Sequence, residues 1–518
     1  MKKTLLLAFT ALTTATFYAQ APEIQWQKCF GGTDSDYAAC VKQTAEGGYI
    51  TAGYTRSVDG DITANHGQDD ILVVKLNASG TAEWKKTFGG SSTEQPSGIQ
   101  QTTDGGYIIS GMTYSVNGDI TSNHGNRDFW VLKLSADGTL EWQKTYGGNN
   151  NENSNTIAKT ADGGYIIAGS SASSNGDVTN GHGSDDAWIV KLNSAGTIQW
   201  QKTYGGTGTD SATSVTQTAD GSYIFCGTTN STNGDVSGLH GTLDYWVVKL
   251  NTAGTITWQK TFGGSNADEA KSVIQTSDGG YIVAGSTGSS DGNVTGFHTG
   301  TASDEWLVKI SATGTIEWQK TYGGTLEDVA YAVRQLPDNG YVVLGYTQSQ
   351  DWDVDFNHAM TVPTLDIWMV RLDASGVIQW QKSLGNYGYD DSKDFDLTND
   401  GGFIVAGNSS LNGGDVSGYH GGNTDLWIVK LAADPLATQS FSDKGVSVYP
   451  NPVESTLNIQ VPNTTTANIA IYDSRGVMVK SYLSDEKSID VSDLASGTYI
   501  LKYTDPENGT LVQKFVKK

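Results

Sequence analysis

Short runs rich in β-branched and aromatic residues, each bounded by glycine, asparagine or aspartate turns, follow one another along most of the chain, and this pattern predicts strands. The stretch from 188 to 227 is typical. Trp188–Leu192 meets a turn ending at Gly196, then Thr197–Tyr204, a Gly-Gly loop, Ala212–Thr218, an Asp220-Gly221 turn and Tyr223–Gly227. The first and last of these four strands carry apolar residues on both faces, as expected where sheets are covered on both sides.

The four-strand unit recurs. Trp26, Trp84, Trp142, Trp200, Trp258, Trp318 and Trp380 mark seven copies, spaced 58 residues apart four times and then 60 and 62. Around them stands Trp-Gln-Lys-Thr-aromatic-Gly-Gly, as in Trp142–Gly148 and Trp258–Gly264. Four short antiparallel strands in such a unit suit a propeller blade. The array opens on a second strand, Ile24–Phe30, and ends on a lone first strand, Leu426–Leu431. Pairing these leftovers would close a ring and remove the exposed edges. Strand alternation then puts first–second and third–fourth turns on one face. The second–third loops and the long fourth–first connections, read as running from blade to blade, lie on the other. With Gln-Thr-x-Asp-Gly-Gly-Tyr-Ile following, the motif resembles the seven-bladed propeller repeat of secreted bacterial proteins over residues 24–431. That resemblance implies an all-β seven-bladed propeller and little chemistry.

The last part of the chain departs from this repeat. Residues 432–445 read as a linker, and the alternating strands of 446–518 predict a small Ig-like β-sandwich. Tyr449-Pro450-Asn451-Pro452, Ile471-Tyr472-Asp473 and Ser496-Gly497-Thr498-Tyr499 make this segment similar to the type A C-terminal sorting domain of type IX secretion. The resemblance implies a Gram-negative cell, passage across the outer membrane through the secretion machinery, and a cell-surface or extracellular destination.

Composition sharpens this picture. Met1-Lys2-Lys3, the apolar Leu5–Phe17 and Ala19 read as a signal peptide over residues 1–19. The first cysteine, Cys29, is too distant for a lipid anchor, and no later apolar run predicts a transmembrane segment. A soluble monomer is expected. The net charge of −24 excludes nucleic acid; it suits solubility, neutral sugars or a divalent cation. Three cysteines make no disulfide scaffold. Cys29 and Cys40, on successive strands, could pair across a hairpin, whereas Cys226 fills a slot held by Ala168, Ala284 and Ala406 elsewhere.

Candidate chemistry divides into repeated and unrepeated residues. His66, His124, His182, His240, His298, His358 and His420 fall once per repeat, followed by an Asp and a Trp such as Asp128 with Trp130, Asp186 with Trp188 and Asp244 with Trp246. A residue repeated in every blade builds the blade, so His, Asp and Trp are expected to hydrogen-bond within it. The repeated lysines, such as Lys75, Lys133 and Lys191, are expected to pair with acids. The Asn-Gly-Asp loops, such as Asn117–Asp119, lack the full set of oxygens that calcium needs and read as turn caps. Calcium remains possible, and no other cofactor is indicated. No catalytic signature emerges. Departures from the repeat concentrate in 350–360 and 385–391, on the long-loop face. They supply Trp352, Asp353, Asp355, Tyr387, Tyr389 and Asp390, a set suited to stacking on and hydrogen-bonding a glycan, or to holding a surface protein. A binding or adhesion module is the favoured expectation; a polysaccharide hydrolase or lyase using Asp353 and Asp390 is the alternative.

Overall fold

A computed structural model describes residues 19–298, 302–359, 363–436, 447–460, 467–473, 478–484, 488–505 and 509–518. The expected signal peptide, except Ala19, and most of the expected linker lie outside the described residues. The chain divides into two compact units after Pro435.

The first unit is a ring of seven four-stranded antiparallel sheets. Blade 1 runs outward through Asp36–Gln43, Tyr49–Thr55, Asp70–Leu76 and Ala82–Phe88. Five blades repeat the order, with inner strands Glu94–Gln101, Glu152–Lys159, Asp210–Gln217, Asp268–Gln275 and Asp328–Gln335. Blade 7 takes Asp390–Leu397, Phe403–Ser409 and Asp425–Leu431 from the end of the array and its outer strand, Ile24–Phe30, from the beginning. Cys29 pairs with Trp427 and Phe30 with Leu426. The Trp427 indole N–H donates to Gln27 across the same seam at 2.8 Å. Both ends of the array thus share one sheet, which closes the ring.

Two expectations need correction. The blade boundary falls at the Gly-Gly loop, so the long loops carrying His66 and its equivalents lie inside blades, between second and third strands, rather than between blades. The assignment of loops to faces survives, because every successive connection still changes face. The same boundary separates Cys29, on the outer strand of blade 7, from Cys40, on the inner strand of blade 1; both are free thiols. They were never on one hairpin.

Apolar side chains fill the gaps between neighbouring blades. Ile50 and Val73 of blade 1, for instance, pack against Ile109, Trp130 and Leu132 of blade 2. The third-strand tryptophans are fully buried in blades 2 to 7. Outer-strand tryptophans lie edge-on to a tyrosine of the next blade, as in Trp26 with Tyr49 at 5.5 Å. On the tight-turn face, glutamine side chains tie blade to blade: Gln101 accepts from the Ala45 amide, Gln217 from Ala161 and Gln275 from Ala219. Ala432–Asp434 also belong to the propeller, since Asp434 is buried and accepts from Arg371 and the Trp380 indole. The expected linker therefore begins later than residue 432.

In the second unit, Ser447–Tyr449, Thr456–Gln460 and Ser488–Asp490 form one sheet, and Met478–Ser484, Ala467–Tyr472, Gly497–Asp505 and Gly509–Lys517 another. Leu457, Ile459, Ile471, Leu501 and Phe515 form its core. Within the sorting motif, Asn451 accepts from the Val516 amide at 2.9 Å, and the Tyr499 hydroxyl donates to the Ala495 carbonyl. Among the described residues no helix is long and apolar enough to cross a membrane.

Candidate functional site

The repeated polar residues form a fixed scaffold beneath the long-loop face. Each inner strand opens on a buried acid. Asp210, for example, accepts from the Gly206 amide and from the hydroxyls of Ser231 and Thr229. Each third strand opens on another, Asp70 and its equivalents, which accepts the main-chain amide of the repeated histidine. The histidine Nδ1 lies 2.5–2.9 Å from this carboxylate in six blades; His182 is the exception, at 3.7 Å from Asp186. The two acids meet beside the first glycine of the Gly-Gly loop. A Cβ on Gly147 would lie 2.5 Å from both Asp128 Oδ1 and Glu152 Oε2, so only glycine fits there.

The tryptophan does not join the His–Asp pair. Trp130, Trp188 and Trp246 donate instead to Gln143, Gln201 and Gln259 of the outer strand, because the indole points outward along the sheet while the His–Asp pair sits at its end. The lysines do pair with acids: Lys133 lies 3.0 Å from Asp104 and Lys191 lies 2.8 Å from Asp162. In the Asn-Gly-Asp loops, Asn117 accepts from the Ser91 amide and Asp119 from Gly89. These acceptors cap the preceding loop. Among the described residues no three His, Cys, Asp or Glu side chains converge as metal ligands.

Against that scaffold the unrepeated residues lie on two segments. Trp352 stands where the other six repeats carry Gly60, Gly118, Gly176, Gly234, Gly292 and Gly414, all left-handed with φ between 53° and 71°. Trp352 adopts φ 56° as well, a conformation that costs a side-chain-bearing residue about 1–2 kcal/mol. The residue is nonetheless 67% exposed, with its ring 5.2 Å from that of His298 of blade 5. Asp353 occupies a repeated position, and its amide donates to the Gly323 carbonyl at 3.1 Å. Its carboxylate lies 3.6 Å from His298 Nε2, while burial raises its pKa. Asp355 is exposed and Phe356 is exposed beside His358.

The second segment lies at the mouth of the central channel. Tyr387 and Tyr389 are exposed, and the Tyr389 amide donates to the Ser410 hydroxyl at 2.7 Å. Asp390 takes no part. It is fully buried and accepts from the amide and side chain of Asn386, as its repeat position requires. Burial pushes its pKa up to about 7. Trp352 stands on the loop between the second and third strands of blade 6, Tyr387 and Tyr389 on the crossing from blade 6 to blade 7, and Asp390 is buried out of reach of a ligand.

The channel itself escaped the sequence reading. Every inner strand bulges at its fourth residue, which is skipped in the ladder with the second strand. A bulge re-aims the side chain it carries, here into the channel. Around the ring this position reads Ala39, Ser97, Asn155, Thr213, Lys271, Tyr331 and Lys393. Blades 2 to 4 supply a small, neutral wall and blades 5 to 7 a charged and aromatic one. Aligning the seven inner strands by position is the signal that would have found it.

Comparison with known proteins bears chiefly on the second unit. Residues 447–518 match the secretion system C-terminal sorting domain. No curated protein matches the chain in sequence. Solved structures resembling it include PorZ, a surface component of the type IX secretion system of Porphyromonas gingivalis, at 11% identity and a TM-score of 0.38, covering 92% of this chain and 58% of that one. Another is the extracellular domain of a putative hybrid two-component system from B. thetaiotaomicron, at 9% identity and a TM-score of 0.41, covering 96% and 60%. A third is a Neurospora crassa WD40 domain, at 11% identity and a TM-score of 0.41, covering 79% and 91%. The chain spans about three fifths of the length of the first two. The sorting domain marks the protein for export by type IX secretion to the cell surface or extracellular space.

Proposed function

We propose that this exported propeller is a binding or adhesion module that takes a glycan or protein ligand on its long-loop face. The observation carrying the proposal is Trp352. Six repeats solve the same turn with glycine, yet here a large ring is held in a strained backbone conformation and exposed to water. Strain maintained at an exposed aromatic points to a contact made outside the chain. Tyr387 and Tyr389 extend the aromatic surface on the same face, and Asp355 adds an exposed acceptor. The hydrolase or lyase alternative has less support, because Asp390 is buried and Asp353 lies against His298. The test is ligand binding by the full chain and by Trp352→Ala and Tyr387→Ala variants that remain folded. Weaker binding in either supports the reading; unchanged binding in both overturns the site.

A further inference from the structure

The channel mouth between blades 6, 7 and 1 differs from the rest of the ring in a way that specifies a ligand class. The bulge residue Lys393 pairs with Asp391 at 2.5 Å and lies 5.1 Å from the centre of the Tyr331 ring. Tyr331 and Tyr346 pack 5.8 Å apart, and Tyr37 stacks on Tyr54 at 4.8 Å. Blades 2 and 3 carry Gln95 and Ser97, and Asn153 and Asn155, where blades 1 and 6 carry Tyr37 and Tyr331. Asp391 is buried beside the channel and its carboxylate holds the Lys393 ammonium in place. Below the mouth the channel holds about 630 Å³, and Arg334 and Lys42 both bond Asp394 in its wall.

At the mouth and in the wall beneath it the cations are matched to acids, Lys393 with Asp391, Lys271 with Glu269, and Arg334 and Lys42 with Asp394; Lys159, at the far end of its strand, also lines the channel. An anionic ligand entering at the mouth would have to break one of these pairs and leave a partly buried carboxylate without its cation. A neutral polyhydroxylated ligand need not. It can accept from the remaining N–H groups of Lys393 and lay a pyranose face on an aromatic ring of the mouth. We propose that the channel mouth binds the neutral terminal sugar residues of a glycan, entering end-on, with Lys393, held in place by Asp391, and Tyr331 as the contacts that select it. This rests on the module reading above and narrows it to one ligand class and one place.

The experiment uses the full chain on an array of oligosaccharides with neutral hexose, deoxyhexose or pentose ends beside sialylated and sulfated ones. Tyr331→Phe, Tyr331→Ala, Lys393→Met and Trp352→Ala are run in parallel, each checked by thermal unfolding. Neutral-ended glycans should bind, and Tyr331→Ala and Lys393→Met should each weaken binding at least tenfold. Tyr331→Phe, which keeps the ring, guards against a folding artefact. If Trp352→Ala abolishes binding while the channel variants bind as the parent does, the channel is excluded and the module reading stands. Preference for sialylated or sulfated ends overturns the neutral assignment. No binding to any glycan overturns the inference and leaves the long-loop face to a protein ligand.

Discussion

Glu305 offers a direct test of how the blades are packed. It lies on the third strand of blade 5, where the other blades place Ile71, Phe129, Ala187, Tyr245, Ile367 and Leu426. It is fully buried and neither carboxyl oxygen has a hydrogen-bond partner. Burial, reinforced by Asp328, Asp304 and Asp353, raises its pKa well above the ordinary carboxylate range. Removing an unsatisfied buried carboxyl should return about 1–3 kcal/mol, so Glu305→Leu should be more stable than the parent even where both folded and unfolded carboxyls are protonated. Above pH about 4.5 the unfolded carboxyl ionises while the folded one stays protonated. Unfolding then releases a proton, and raising the pH disfavours the parent by about 1.4 kcal/mol per unit until the folded pKa is passed. The stability contributed by this raised group is thus complete at low pH and lost as pH rises. The gap between variant and parent should therefore widen from pH 5 to pH 7, read by urea denaturation with tryptophan fluorescence. Asp328 and Asp390, each pushed up to about 7 by burial, contribute the same slope to both proteins and cancel. Glu305→Gln should share the slope with a smaller offset. A gap that stays constant with pH, or a destabilised leucine variant at pH 7, would refute the reasoning.

Other outcomes follow from single contacts. Trp352→Gly should raise propeller stability by up to about 1 kcal/mol, the relief of left-handed strain less glycine's greater freedom in the unfolded chain, while weakening binding; denaturation paired with binding assays checks both. Gln27→Leu strips the Trp427 indole of its acceptor across the closing seam and should cost about 1–3 kcal/mol by urea midpoint. All three thiols should resist alkylation in the native protein, where burial pushes Cys40 and Cys226 up to about 12, and all three should react once unfolded; a thiol count of one on unfolding would show a disulfide.

The ring was legible in the sequence because its marker, a tryptophan once per unit, sits in a strand whose every neighbour repeats too. Closure was legible for the same reason: the leftovers Ile24–Phe30 and Leu426–Leu431 are complementary strand types. The blade boundary was not, since a Gly-Gly loop crossing between sheets and a long loop within a sheet are both simply turns to a reader of the chain. That misplacement alone produced the Cys29–Cys40 hairpin. The channel was hidden for a subtler reason. Inner-strand side chains were read with a period of two, and one bulged residue shifts everything beyond it to the other face. Lys271, Tyr331 and Lys393 therefore look like ordinary strand residues until the unpaired position is seen in three dimensions.

Charge was misleading in a related way. A net −24 suggests a uniformly acidic surface, yet fourteen of the acids are the paired residues beside the Gly-Gly loops, from Asp36 with Asp425 to Asp366 with Asp390, and none is more than 2% exposed. They hold loop amides and hydroxyls in place, and burial raises several of them toward neutrality, Asp304 and Asp425 to about 6 and Asp328 and Asp390 to about 7. An approaching ligand consequently meets a face less negative than the formula implies, with exposed aromatic rings above a channel mouth of matched charges. Such a surface exerts weak long-range steering on ions and leaves selection to stacking and short-range hydrogen bonds, the contacts by which a neutral sugar is recognised.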